Sequence, residues 1–231
     1  MSRSGMVKKS ARSYRREESL SRDRIVEASI ALLDSEGEDG LTFRALSERL
    51  ATGAGAIYWH IPNKGELLTA VCDAIISRTM REVAAEVTPE ANLREVALSL
   101  FDTIDAHPWV GSALMRIPSQ MPMVRIIERL GQQARALGVR DEEQWATVGT
   151  LLNYILGVGG QNAANGQLAR TRGIDRTDFL EEVATAWSQL DPGEYPFTLS
   201  LAGKLRAHDD RQDFLDGFDL ILRGIKSALR S

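Results

Sequence analysis

Residues 41–64 read Leu-Thr-Phe-Arg-Ala-Leu-Ser-Glu-Arg-Leu-Ala-Thr-Gly-Ala-Gly-Ala-Ile-Tyr-Trp-His-Ile-Pro-Asn-Lys. The spacing predicts two short helices, 43–50 and 54–60, separated by a turn of small residues. Leu46 and Ile57 provide apolar contacts between them, and a small turn suits two helices that cross sharply. This is the pattern of a helix-turn-helix, whose second helix enters the major groove of DNA.

Capping signals extend the helical pattern in both directions. Ser21 is a suitable N-cap for a helix over 22–36, and Glu36-Gly37-Glu38-Asp39-Gly40 then forms a turn. Asn63 with Glu66 forms a capping box that begins a long helix reaching about Val87. Further helices are predicted over 88–107, 108–118, 123–137, 141–164, 175–190, 198–207 and 211–230.

The composition indicates an all-α protein with 43% hydrophobic residues and a net charge of −4. We expect a basic arm over 1–21, a three-helix DNA-binding domain over 22–68, and a larger ligand-binding and dimerisation domain over 69–231. No apolar run is long enough to cross a membrane, and the N-terminus lacks the apolar segment of a secretory signal. The single cysteine, Cys72, fits a reducing compartment, so a cytoplasmic protein is expected.

Charge is concentrated at the N-terminus. Residues 1–24 carry eight basic side chains and three acidic ones. A basic segment on an acidic protein is typical of a contact with a polyanion, although a solvated leader has the same composition.

Residues 22–72 resemble the DNA-binding domain of the tetracycline-repressor family. The resemblance lies in the Leu-Thr-x-Arg-x-Leu-Ser start, the Ala-x-x-x-Tyr-Trp-His end and the Asn-Lys-x-x-Leu-Leu that follows. The Tyr-Trp-His form is most similar to the tetracycline repressors proper. The later chain is similar more weakly, through Gly138, Leu156-Gly157 and 214–225.

The resemblance implies that Tyr58, His60 and Lys64 contact phosphates. Thr42 caps the first helix of the motif and reaches a phosphate, and Arg44 reads a base edge. Trp59 belongs either to the DNA surface or to the core. The remaining expected DNA-binding residues are Thr52, Ala54, Gly55 and Ala56. At 54–56 the sequence departs from the tetracycline repressors, which have polar base-reading groups there. Recognition of the operator is therefore expected to depend more on the shape of the DNA.

The last helix has an a/d seam that fits either a dimer interface or the chain's own core. The resemblance favours a four-helix dimer interface built with helix 141–164, which is apolar nearly all round and expected to be buried on several sides. The expected interface residues are Leu152, Ile155, Leu215, Phe218, Leu222, Ile225 and Leu229.

An effector cavity is expected among helices 90–107, 108–117, 123–137 and 141–164. Its candidate lining consists of His107, Trp109, Met115, Arg116, Trp145 and Asn153. No metal or cofactor site is predicted. In the resemblance, Met80 stands where the tetracycline repressor has a histidine, which disfavours a magnesium–tetracycline ligand.

The sequence therefore predicts a homodimeric transcriptional repressor that binds palindromic operator DNA, is released by a small hydrophobic or amphipathic effector, and has no membrane partner. An activator of the same fold is the alternative. An enzyme is disfavoured because no catalytic set of residues is present. A protein-interaction module is disfavoured because it would not need the Tyr-Trp-His motif.

Overall fold

The computed structural model describes residues 20–81, 88–117 and 119–230, and within these residues every regular element is a helix. They are α1 (Arg22–Gly40), α2 (Phe43–Arg49), α3 (Ala54–His60), α4 (Lys64–Thr79), α5 (Pro89–Ala106), α6 (Trp109–Arg116), α7 (Met121–Ala136), α8 (Asp141–Arg172), α9 (Arg176–Ser188), α10 (Pro196–Leu205) and α11 (Asp210–Ala228). The all-α prediction is confirmed. None of these helices is long and apolar enough to cross a membrane.

The chain divides into two compact units, and the division falls between Ala74 and Ile75, within α4. The predicted boundary near residue 68 lies in the same helix. The basic arm, residues 82–87 and Pro118 lie outside the described residues, apart from Leu20 and Ser21 at the end of the arm.

The N-terminal unit packs α1 against α2 and α2 against α3. Its core consists of fully or nearly fully buried aliphatic side chains: Ile25, Leu33, Leu41, Leu46, Ile57, Ile61, Leu67 and Val71. Cys72, which follows Val71 in the chain, is also buried, as expected of a small apolar residue. Packing of short helices on a common core supplies most of their stability, because isolated helices of this length are marginal in water.

The predicted caps form. The hydroxyl of Ser21 accepts the N–H of Arg24 at 3.2 Å, and the hydroxyl of Thr42 accepts the N–H of Ala45 at 3.0 Å. Gly37 adopts a left-handed φ of 69° at the predicted turn, but the chain re-enters helical geometry and α1 continues to Gly40. The turn is therefore a kink near the end of α1.

The C-terminal unit is built around α5 and α8, and both α7 and α11 pack against these two helices. Its centre is aromatic: Phe101 and Phe214 stack with ring centroids 4.5 Å apart, and Tyr154 stacks on Phe214 at 5.4 Å. Three ion pairs join α5 to α11, namely Glu90–Lys226 at 2.8 Å, Arg94–Asp219 at 2.6 Å and Asp102–Arg211 at 3.0 Å.

Helix α8 differs from its prediction in length and burial. It continues beyond 164 to Arg172, where Gly173 ends it with a φ of 69°. Within the single chain it is buried on one broad side only, because Trp145 is 77% exposed, and Asn153 and Gly157 are also exposed. The apolar residues of this helix cover one broad face and leave the other to solvent.

Candidate nucleic-acid interface and ligand cavity

The exposed side of α3 carries the aromatic residues of the motif. The ring of Tyr58 stacks on Phe43 of α2, with centroids 4.2 Å apart and planes 7° from parallel. Tyr58 is 49% exposed and Trp59 is 83% exposed. His60 meets Trp59 edge-on at 4.9 Å. Trp59 therefore belongs to the surface, which rules out the core role that the sequence left open.

The first turn of α3 presents almost no side chains. Ala54, Gly55 and Ala56 are all exposed, and a Cβ built on Gly55 meets nothing within 4 Å. The absence of a side chain at position 55 is therefore not required by packing inside the chain. It lets another molecule approach the backbone of α3 closely.

The N-terminal end of α2 also belongs to the candidate DNA-binding surface. Thr42 is exposed, and its hydroxyl is occupied by the capping bond described above. The guanidinium of Arg44 is exposed and pairs with Glu48 one turn later, 3.0 Å between Nε and Oε1. Such an exposed pair is weak, so Arg44 can exchange it for another acceptor. Thr52, in the turn, is half-buried.

The start of α4 is tied to the end of α1. The Nζ atom of Lys64 donates to the backbone carbonyl of Glu38 at 2.7 Å. The N–H of Glu66 donates to Asn63 Oδ1 at 2.8 Å, and Asn63 Nδ2 donates to the Glu66 carboxylate at 3.2 Å. The Asn63 side of the capping box thus forms as predicted, while the Glu66 carboxylate accepts from the Asn63 side-chain amide. The ammonium of Lys64 retains other donors for a phosphate.

The six residues expected to line an effector cavity do not gather in one place. His107 and Trp109 lie near each other, with ring centroids 6.2 Å apart, and Trp109 is buried. Met115, Arg116, Trp145 and Asn153 are exposed. Trp145 borders a separate groove between α7 and the start of α8.

A cavity of about 440 Å³ lies among α5, α8, α9, α10 and α11. Its lining is Phe101, Val158, Gln161, Asn162, Asn165, Arg176, Phe179, Leu180, Val183, Trp187, Leu205, His208, Asp210, Asp213 and Phe214. None of the six expected residues is among them. Sequence reasoning missed this site, although one face of α9 signals it: Phe179, Leu180, Val183 and Trp187 form an apolar helical stripe with Arg176 at its end.

A charged cluster closes one side of this cavity. Arg176 forms a two-pronged pair with Asp210, in which Nε lies 2.8 Å from Oδ2 and Nη2 contacts Oδ1. His208 lies between two carboxylates: its Nε2 is 3.0 Å from Asp210, and its Nδ1 contacts Asp213. Asp209 caps α11 and accepts the N–H groups of Arg211 and Gln212.

The predicted dimer seam is only partly available to a partner. Ile155 and Phe218 are fully buried in their own chain, and Leu222 is 2% exposed. These three residues are corrected to core positions, because a side chain that is already covered has no surface to offer. The other four expected interface residues are half-buried and lie at the edge of the core: Leu152, Leu215, Ile225 and Leu229.

A different face of the two helices is open. On α11 it runs through Leu220, Gly224 and Ala228, with Leu220 63% exposed. On α8 it runs through Ala146, Gly149, Asn153 and Gly157. We name these seven residues the small-residue face.

Among the described residues, no group of three His, Cys, Asp or Glu side chains is arranged to hold a metal ion.

Two family models match the chain. Residues 25–71 match the bacterial regulatory proteins of the tetR family, and residues 86–229 match the tetracyclin repressor-like C-terminal domain. A transcriptional repressor of Streptomyces coeruleorubidus, DrrR1, is 26% identical over 88% of this chain and 78% of its own. The class D tetracycline repressor of Escherichia coli is 27% identical over 91% of each chain. The tetracycline-repressor branch that the motif most resembles is therefore matched only distantly.

Comparison with solved structures leads to the same family. A TetR-family regulator of Streptomyces coelicolor is 49% identical, with a TM-score of 0.79 over 90% of this chain and 99% of the other. BioQ with its double-stranded DNA operator is 30% identical, with a TM-score of 0.57 over 82% and 100%. ActR of Streptomyces coelicolor, in complex with actinorhodin, is 25% identical, with a TM-score of 0.73 over 90% and 96%. The chain belongs to the tetracycline-repressor family of bacterial regulatory proteins.

Proposed function

We propose that this protein is a homodimeric repressor that binds operator DNA through α2 and α3 and is released by a small molecule bound in its C-terminal unit. The relatives support repression, operator binding and small-molecule binding. DrrR1 is a transcriptional repressor, BioQ was solved on its operator, and ActR was solved with a bound small molecule. We further propose that the protein regulates transcription rather than catalysing a reaction, and that it acts in the cytoplasm.

One observation carries the DNA-binding part. Trp59 is 83% exposed, and the half-exposed Tyr58 stacks on Phe43. Adjacent exposed aromatic side chains form an apolar patch of the kind that marks a contact with another molecule. Beside it, the first turn of α3 is bare backbone and methyl groups, a surface that can lie deep in a groove and touch thymine methyls.

Selection of bound sequences from random DNA, followed by anisotropy titrations over a salt series, tests this part. Tyr58→Phe removes one hydroxyl and should weaken operator binding and scrambled-DNA binding alike, since a phosphate contact carries no sequence information. Arg44→Ala should lose about 1–3 kcal/mol per half-site on the operator alone. Tyr195→Phe, at another exposed tyrosine, is the matched control. Failure to enrich any sequence would exclude sequence-specific binding.

The dimer is proposed to form through the small-residue face, since residues without bulky side chains let helices of two copies approach closely. A Cβ on Gly224 meets nothing within 4 Å, so Gly224→Arg leaves the single chain undisturbed. Light scattering should show a dimer for the wild type and a monomer for Gly224→Arg. Gly203→Arg, at an equally open glycine on α10, should stay dimeric. A dimeric Gly224→Arg protein would place the interface elsewhere.

Release by an effector requires coupling between two sites. A molecule that lowers DNA affinity must itself bind more weakly when DNA is present, typically by about 1–3 kcal/mol. An activator would show the same DNA binding but would raise transcription, so a reporter assay on the selected operator separates the two roles.

A further inference from the structure

The helix-turn-helix carries one acidic side chain among basic ones. With histidine neutral, the charged residues of 41–64 are Arg44, Glu48, Arg49 and Lys64, and all four are exposed. A carboxylate on a surface that meets DNA is repelled by the phosphates, so Glu48 lowers the affinity for DNA of any sequence. Unless it improves binding to particular sequences, its effect on DNA binding is only unfavourable.

Glu48 engages one particular atom of Arg44. The two residues lie one turn apart on the same face of α2, and Arg44 Nε donates to Glu48 Oε1 at 3.0 Å. Within the part of the chain that the structure describes, the two Nη groups of Arg44 have no hydrogen-bond partner. The pair therefore occupies the donor at the side of the guanidinium and leaves the fork at its end open.

The open fork matches the edge of a guanine. In the major groove a guanine presents the acceptors O6 and N7 side by side, and the two Nη groups of an arginine can donate one bond to each. Because this contact does not need Nε, Arg44 can keep its bond to Glu48 while it reads a guanine. The bond also restricts the rotation of the guanidinium, which lowers the entropy lost when the fork binds.

The same pair makes a phosphate a poorer partner for Arg44. The Glu48 carboxylate offsets the charge that would attract a phosphate, and it repels the phosphate directly. Guanine O6 and N7 are neutral acceptors, so the repulsion there is weaker and the hydrogen-bond geometry decides. The pair is screened and weak in water, with side chains 90% and 68% exposed, but it strengthens where a DNA groove excludes water. A device that penalises the wrong partner in this way raises specificity.

We propose that Glu48 is a positioning residue that determines operator specificity. Its bond to Arg44 Nε aims the two Nη groups of Arg44 at a guanine, and its charge keeps Arg44 from binding a phosphate instead. The inference rests on the proposed function, since it assigns Glu48 a role in DNA recognition, and it adds the base that is read and the residue that sets the choice.

Sequences selected by the wild type should contain a guanine in each half-site that sequences selected by Arg44→Ala lack. Operators with each base pair at that position, and scrambled DNA, are then titrated by anisotropy over a salt series. Glu48→Ala should lower the preference for guanine about tenfold, within the range of one bidentate contact. It should also strengthen binding to scrambled DNA, with a salt slope steeper by about one in each half of the dimer. An unchanged guanine preference, or no guanine that depends on Arg44, would overturn the proposal.

Two further variants separate positioning from other roles of Glu48. Glu48→Gln retains an acceptor oxygen for Nε without the charge, so it should recover much of the guanine preference while binding to scrambled DNA stays stronger than in the wild type. In an Arg44→Ala background, Glu48→Ala should leave the base preference unchanged, because Glu48 acts through Arg44. A glutamine variant no better than alanine, or a changed preference in the absence of Arg44, would overturn the assignment.

Glu181→Ala is the matched control. Glu181 accepts from Arg206 Nε at 2.6 Å in an exposed pair of the C-terminal unit, so its loss should change neither the base preference nor the salt slope. Thermal melting should show a folded Glu48→Ala protein, because alanine suits an exposed helical position. Failure of the wild type to select any sequence would refute the proposed function and this inference together. A selected operator whose guanine preference survives Glu48→Ala would refute this inference alone.

Discussion

The phenol ring of Tyr154 lies directly against the backbone of Gly217. A Cβ on Gly217 would lie 2.9 Å from Tyr154 Cζ, and the Tyr154 hydroxyl donates to the carbonyl of Phe214 at 2.9 Å. Gly217→Ala must therefore displace the ring and weaken this bond, at about 1–3 kcal/mol of unfolding free energy. Urea denaturation measures the loss. Gly203→Ala on α10 has open space and should stabilise by about 0.5–1 kcal/mol. Similar behaviour of the two variants would contradict this account.

Gly55→Leu should separate folding from DNA binding. Position 55 is open, and leucine forms helix better than glycine, so thermal stability should hold or rise. Bound to DNA, the new side chain would occupy the space between α3 and the groove, and operator affinity should fall at least about tenfold. Anisotropy and thermal melting of the same preparation provide both readings. Retained operator affinity would show that α3 does not approach the bases at this position.

Lys64→Met should affect two properties. Loss of the bond from Nζ to the Glu38 carbonyl should lower the free energy of unfolding by about 0.5–1.5 kcal/mol. If the same ammonium meets a phosphate, the slope of log K against log salt should also fall by about one per contact in each half of the dimer. Lys204→Met, at an exposed lysine of α10, should change neither. An unchanged salt slope would restrict Lys64 to its structural bond.

Acid should weaken the link between α5 and α11. The hydrogen bond from Lys226 is the main cause that lowers the pKa of Glu90 from its ordinary 4.5. A lowered folded-state pKa means that the stabilisation is fully present above about pH 4.5 and is lost as pH falls through the folded value. The pair is partly exposed, with 44% of the Lys226 side chain and 23% of the Glu90 side chain accessible, so solvent screening keeps its contribution below about 1 kcal/mol. Below that pH, the free energy of unfolding of Glu90→Gln should fall less steeply than that of the wild type. Plots of unfolding free energy against pH that run parallel for the two proteins would refute the assignment.

Local features were predictable and long-range ones were not. Thr42 and Asn63 cap their helices as expected, because a cap depends on residues three positions apart in the chain. The seam through Phe218 and Leu222 was correctly identified as apolar, but heptad spacing is the same whether an apolar stripe faces its own core or a second chain. Only the fold shows that these residues are already covered.

The cavity shows the same limit more strongly. Its polar end joins Arg176 to Asp210 across 34 positions, and Phe101 and Phe214 meet from opposite ends of the C-terminal unit. No spacing rule relates such residues. Expected cavity residues such as Met115 and Trp145 were polarisable or aromatic side chains whose burial depended on neighbours that the sequence does not identify.

The three ion pairs between α5 and α11 specify how these helices align. Along α5 the charges run negative, positive, negative at Glu90, Arg94 and Asp102, and their partners on α11 carry the opposite signs. Sliding α11 by two turns would set Asp219 against Glu90 and Arg211 near Arg94. Each exposed pair adds little stability, but the alternation penalises wrong registers by like-charge repulsion. Two helices more than a hundred residues apart in sequence thus have one electrostatically permitted antiparallel register.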